Sequence, residues 1–108
     1  MSKIYLFKVR QSSLPFVALS EIYYIVWNKK GEAEADKIYG LIKSWNLPIL
    51  FPDERIILMA GRLKALFKLG MADSYIAALS LDKNLTLVTK DKDYEILQNQ
   101  IKILYLYK

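Results

Sequence analysis

Four short apolar runs, each fenced by turn residues and separated by helical sequence, constrain this chain more than any other feature. They are Leu14 to Leu19, Leu47 to Phe51, Leu85 to Thr89 and Ile101 to Tyr107. A strand that returns to its sheet through a helix must lie parallel to its predecessor, so the alternation implies an α/β fold with a parallel sheet and helices on both faces. The helical stretches carry their own punctuation. Ser20 is a candidate N-cap for SEIYYIVWNKK, with Gly31 just past its end and Glu21 in the first turn. Glu32 to Trp45 repeats apolar residues at helical spacing, and Asp53 caps a strongly periodic helix that the pattern carries to Gly70. Met71 to Leu81 is a further helix, closed by a Lys-Asn turn, and Asp91 to Gln98 is a short helix or turn.

Residues 3–11 fit a helix or a strand. The helix is favoured by a weak internal echo, in which Lys3-Ile4-Tyr5 with Leu14-Pro15 parallels Lys37-Ile38-Tyr39 with Leu47-Pro48. The spacing differs by one residue, which is too loose for a repeat. No linker or low-complexity segment divides the 108 residues, so residues 1–108 read as a single domain.

The chain contains neither cysteine nor histidine. This excludes disulfide frameworks, zinc fingers, thiol nucleophiles and imidazole general bases. Carboxylates holding a hard divalent cation are the commonest chemistry left. The longest apolar stretch, Leu14 to Trp27, is too short for a membrane span and contains Glu21, and the amino terminus lacks a secretory pattern. The expected location is the cytoplasm. A net charge of +5 raises the expectation of a polyanionic partner without identifying one.

The acids fall next to predicted strand ends. Glu21 follows the first strand, Asp73 opens a helix, and Asp91 and Asp93 follow LTLVT. Parallel strands point their carboxyl ends to one edge, where ligands of such sheets bind. Carboxylates crowded there repel unless a cation neutralises them, and Mg²⁺ or Mn²⁺ suits an oxygen-only site. A bound metal lowers the pKa of a water and clamps a phosphate oxygen, which is the chemistry of phosphodiester hydrolysis. Each acid taken singly is more often a cap, helix-dipole or turn residue than a ligand, and only together do they point to a site. Lys90 and Lys92 flank the acids, where they meet the phosphates of a polyanion or merely solvate a turn. Trp27 and Trp45 lie on apolar faces and read as core or dimer contacts. Arg62 and Lys64 read as solubilising residues, and the tyrosines as packing groups in the main.

Three segments over residues 14–108 resemble the PIN domain, specifically the VapC-type toxins of toxin–antitoxin pairs. ALSEIYYIV (Ala18 to Val26) is similar to the family's strand-then-helix segment bearing its Glu. ADSYIAAL (Ala72 to Leu79) is similar to its D-x-x-I-A-A helix. LTLVTKDKDYE (Leu85 to Glu95) is similar to its L-V-T-x-D-x-D-F segment, with Tyr94 in place of Phe. The resemblance implies a three-layer α/β/α fold and a ribonuclease using Mg²⁺ or Mn²⁺. It implies Glu21, Asp73 and Asp91 as catalytic and metal-binding acids, Asp93 as a further metal ligand and Thr89 as support for the turn. It also implies RNA and a cognate antitoxin as partners, and a homodimer.

The family begins with a central strand ending in Asp, followed by a helix. Here no acid precedes Glu21. If KIYLF were that first strand, Phe7 or Lys8 would stand at the carboxylate position and the helix before Leu14 would be absent; the preferred reading takes residues 3–11 as the family's second helix, with a gap at the sheet centre, and either way the resemblance implies an amino-terminally truncated PIN fold with one metal ligand missing. Such a chain is a fragment, a decayed gene, or a non-catalytic module that binds an antitoxin peptide or RNA. A response-regulator-like acid pocket is the remaining α/β alternative, but its phosphorylatable Asp and its Lys are not evident.

Overall fold

The computed structural model describes residues 6–8, 12–89, 92–99 and 101–105, with side chains over 13–88, 95–99 and 101–104. The elements run β1 (Leu6–Lys8), β2 (Ser12–Pro15), α1 (Phe16–Lys30), α2 (Glu32–Ser44), β3 (Ile49–Leu50), α3 (Glu54–Phe67), α4 (Met71–Lys83), β4 (Thr86–Thr89), a 3-10 turn (Lys92–Leu97) and β5 (Lys102–Tyr105). The five strands form one sheet in the order β3-β2-β1-β4-β5. The pairs β2–β3 and β4–β5 are parallel, as alternation with helices requires.

The amino-terminal expectation is corrected. The described part of residues 3–11 is strand, not helix, and it occupies the middle of the sheet. β1 runs antiparallel to both neighbours, with Phe7 opposite Ser13 and Leu87, and Lys8 opposite Ser12 and Thr86. The physical reason is connection length. The three residues between β1 and β2 allow a hairpin, whereas a parallel return needs a crossover of a dozen or more. Leu6 and Phe7 suit either state locally, so tertiary pairing decides. The expected central gap is thus filled from within the chain.

The next boundary also moves. β2 ends at Pro15 and α1 begins at Phe16, so Ser20 is no cap and Glu21 lies in the second turn. Pro15 sits at φ −67° and ψ 146°, extended, and steers Leu14 away from helical backbone. Beyond it, Val17, Leu19 and Ile22 pack against the core as helix residues. Gly31, at φ 91°, turns the chain between α1 and α2, a conformation glycine adopts without strain.

α3 starts as expected, with the Asp53 side chain accepting from the Ile56 amide. It stops earlier than its pattern suggests, at Lys68 in the left-handed region, where Lys64 Nζ donates to the Leu69 carbonyl. Gly70 instead precedes α4 as its N-cap residue. Asn84 closes α4, also left-handed, and β4 follows at once.

α1 packs on α2 and α3 on α4, the two pairs meeting only lightly between α1 and α4. The connection from β2 to β3 and that from β3 to β4 travel in opposite directions across the sheet, so right-handed crossovers put the two pairs on opposite faces. Burial agrees. Leu87 is 0% and Val88 8% exposed, although successive strand residues point to opposite faces. The core joins Leu14, Ala18, Ile56, Leu63, Ile76, Leu79 and Leu97 to Leu87. Arg55 on α3 pairs with Asp82 on α4 and holds the two helices in register. Trp27 and Trp45 are exposed rather than core residues. Among the described residues no helix is long and apolar enough to cross a membrane.

Candidate functional site

The sheet directions define the candidate edge. β2 and β4 are each antiparallel to β1 and therefore point the same way, and β3 and β5 follow them. The carboxyl ends of all four, Pro15, Leu50, Thr89 and Tyr105, share one edge. β1 alone is reversed. It brings Leu6 toward that edge and Lys8 to the opposite one, and so adds no carboxylate where the others end.

α4 delivers Asp73 to this edge. It is 13 residues long and leads directly into the amino end of β4, so its first turn lies some 20 Å back at ~1.5 Å per residue. The Tyr75 ring meets Phe16, the residue just after β2, edge to face at 5.3 Å. This contact places the start of α4 beside the carboxyl end of β2. Asp73 is 7% exposed and lies in the first turn, where the helix dipole favours a carboxylate. The turn is tightened by Ser74, whose amide and hydroxyl both donate to the Gly70 carbonyl at 2.9 Å. Gly70 faces the acid, since a Cβ there would stand 3.6 Å from Asp73 Oδ2. Glu21 is half-buried on α1, five residues beyond Phe16.

Asp91 and Lys90 lie outside the described residues. Thr89 is the last residue of β4, opposite Tyr105, and Lys92 and Asp93 belong to the 3-10 turn that follows; the side chains of these three are not described. Among the described residues no three of Asp, Glu, His or Cys gather as a metal-holding group.

Two features escaped the sequence reading. An aromatic chain runs along the edge. Phe51, immediately after β3, approaches Phe16 with ring centroids 6.4 Å apart, and Phe16 meets Tyr75. No periodicity links residues 16, 51 and 75; only the ends of β2 and β3 bring them together. The second feature is a cleft of about 430 Å³ on the α1–α2 pair, lined by Phe16, Leu19, Ser20, Tyr23, Asp36 and Tyr39.

Across this cleft the Tyr23 hydroxyl donates to Asp36 Oδ1 at 2.5 Å. The bond, with lesser contributions from desolvation and the charges of Asp36 and Glu32, raises the Tyr23 pKa above the usual phenol value. A raised folded pKa means that this stabilisation is complete below about pH 10 and is lost as pH climbs through the folded value. Tyr23→Phe is expected to flatten the alkaline limb of a melting temperature against pH profile, without changing the neutral plateau's shape. An unchanged alkaline limb would show that the bond contributes nothing to folding.

The family model described as PIN domain matches residues 10–99. Two solved structures share the fold. A chain of VapBC-1 from nontypeable Haemophilus influenzae superposes with TM-score 0.71 at 19% identity, covering 86% of this chain and 72% of that one. A chain of VapBC2 from Rickettsia felis, bound to a DNA fragment from their promoter, gives TM-score 0.71 at 19% identity, covering 88% and 74%. No curated protein sequence matches.

Proposed function

Because the chain belongs to the PIN domain family, we propose that it is a VapC-like toxin ribonuclease that hydrolyses RNA phosphodiester bonds with Mg²⁺ or Mn²⁺. The observation that carries this reading is Asp73, a carboxylate buried in the first turn of α4 and brought to the edge where β2, β3, β4 and β5 end. A set of carboxylates without imidazole or thiolate fits a hard divalent cation. Gly70 leaves room on the Asp73 side that a larger residue would narrow. Asp73, Glu21 and Asp91 would hold the ion, with Asp93 as a further ligand. When bound, such an ion acidifies a water and neutralises charge on a phosphate.

The chain's own residues supply the rest. Ser74 and Gly70 fix the turn that orients Asp73, and Thr89 ends the strand that leads to Asp91. Lys90 and Lys92 offer cations to the phosphates flanking the cleaved bond. A cognate antitoxin and a second copy of this chain are the proposed protein partners. The resemblance to VapC-type proteins and the shared fold with the two VapBC structures support this.

A second reading is favoured by one observation. The central strand is reversed and contributes no carboxylate to the edge. A domain so built acts as a non-catalytic module that binds antitoxin peptide or RNA through its basic surface. Incubating the protein with single-stranded RNA in Mn²⁺ and in chelator separates the two. Cleavage only with Mn²⁺ supports the nuclease. Metal-independent, salt-sensitive RNA binding without cleavage supports the module. Neither binding nor cleavage would overturn both.

A further inference from the structure

Phe51 stands out among the exposed residues, with 67% of its surface open to solvent at the carboxyl edge of β3. An exposed phenyl ring is usually mobile and unsupported. This one is held in three ways. Its backbone leads into Pro52, which fixes φ, and then into Asp53, whose side chain is tied to the Ile56 amide. Its ring is backed by Phe16 at 6.4 Å with a 31° tilt. Phe16 is in turn braced by Tyr75 at 5.3 Å, two residues from Asp73. The ring is thus largely open to solvent and joined by two ring contacts to the helix turn that bears the candidate acid.

Its surroundings say what it meets. The next exposed residues are Asp53, Glu54 and Arg55, in which Arg55 lies 3.9 Å from Asp53 and also pairs with Asp82. Among the described residues that follow it in sequence, the one cation, Arg55, is engaged by two carboxylates, so the position itself offers a ring rather than a phosphate contact. What the position offers is an exposed π face with a second ring beside it. Such faces hold the bases of single strands, because every base has one of its own.

We infer that Phe51, backed by Phe16, is the stacking platform for one unpaired base of the single-stranded nucleic acid lying along the carboxyl edge. The inference rests on the nuclease reading and deepens it. It adds an anchoring residue for a base next to the reacting bond. Phe51 touches the substrate base without taking part in bond cleavage.

The test is a coupling measurement in chelator, so that no strand is cut. A short single-stranded RNA is compared with versions carrying an abasic residue at each position in turn. These bind to wild-type protein, Phe51→Leu and Phe51→Trp. Wild type is expected to lose about 5- to 150-fold in affinity at one position when its base is removed. Phe51→Leu binds the intact RNA weaker by a similar factor and becomes indifferent to that base, and Phe51→Trp restores the sensitivity. The leucine variant keeps an apolar side chain at an exposed site, so it folds, and its melting curve verifies this.

Equal base sensitivity in wild type and Phe51→Leu would overturn the stacking role. Cleavage with Mn²⁺ in the same preparation would then leave the nuclease reading standing. Wild type that neither binds nor cleaves RNA would overturn both. Unaltered RNA binding together with loss of self-association in Phe51→Leu would assign the ring to a protein contact instead.

Discussion

Asp73→Asn is expected to lower Mn²⁺-dependent RNA cleavage by on the order of 100-fold or more, with the fold retained. The magnitude follows from what the substitution removes. The amide has the carboxylate's shape but no charge, and losing one well-placed electrostatic partner in a catalytic site costs about 10²–10³ in rate. Asp73 is almost fully buried, so solvent cannot replace the lost charge. Affinity for Mn²⁺, read by calorimetry, should fall in parallel. The melting temperature in chelator checks that α4 still forms; its register with α3 is held independently by Arg55 and Asp82. Cleavage at the wild-type rate in a folded Asp73→Asn protein would remove this residue from the site. Gly70→Ala makes a milder companion. Its backbone at φ −62° accepts alanine, and the added methyl would sit in ordinary contact with the acid.

Leu87→Ala should be the most damaging single truncation of the sheet. Leu87 is fully buried in β4, paired with Phe7 on one side and Ile103 on the other. Removing a buried leucine side chain costs about 2–5 kcal/mol, a transfer term plus the cavity left behind. In a domain of this size that corresponds to a melting temperature lower by roughly 10–25 °C. The site is enclosed on its sheet face by helices and cannot readily collapse, which argues for the upper half of the range. A loss below about 1 kcal/mol would show that the sheet relaxes around the cavity, contrary to interiors packed at crystal density.

Much of the carboxyl-terminal two-thirds was legible because its signals are local. Asp53 caps α3 by a bond to a residue three positions on, Asn84 ends α4 in a left-handed turn, and TLVT is short, apolar, rich in β-branched residues and fenced by turn residues, the pattern of a buried strand. Asp73 could be assigned to an edge from chain order alone. The amino-terminal third resisted because its structure is decided at a distance. Leu6-Phe7-Lys8 is a strand only because β2 and β4 flank it, and the echo with residues 37–45 carried the helical expectation in the wrong direction. Phe16 to Leu19 favours strands by composition, yet it opens α1 because Pro15 has already ended β2 and the helix buries Ala18. The aromatic chain from Phe51 to Tyr75 was invisible for the same reason, as it exists only once the ends of β2 and β3 lie side by side.

The reversed β1 has a consequence for cooperativity. Without it, the sheet is two separate parallel pairs, β2–β3 and β4–β5, with no hydrogen bond between them. A strand of three residues therefore acts as a splice, bonded to β2 through two register pairs and to β4 through three. Splices that short open more easily than the material they join. The protein is then best pictured as two leaves clasped from opposite faces, α1 with α2 on one side and α3 with α4 on the other. Two of the proposed acids ride on different helix pairs, Glu21 on α1 and Asp73 on α4. The spacing of those two carboxylates is then set jointly by the splice and by the ring contact of Phe16 with Tyr75.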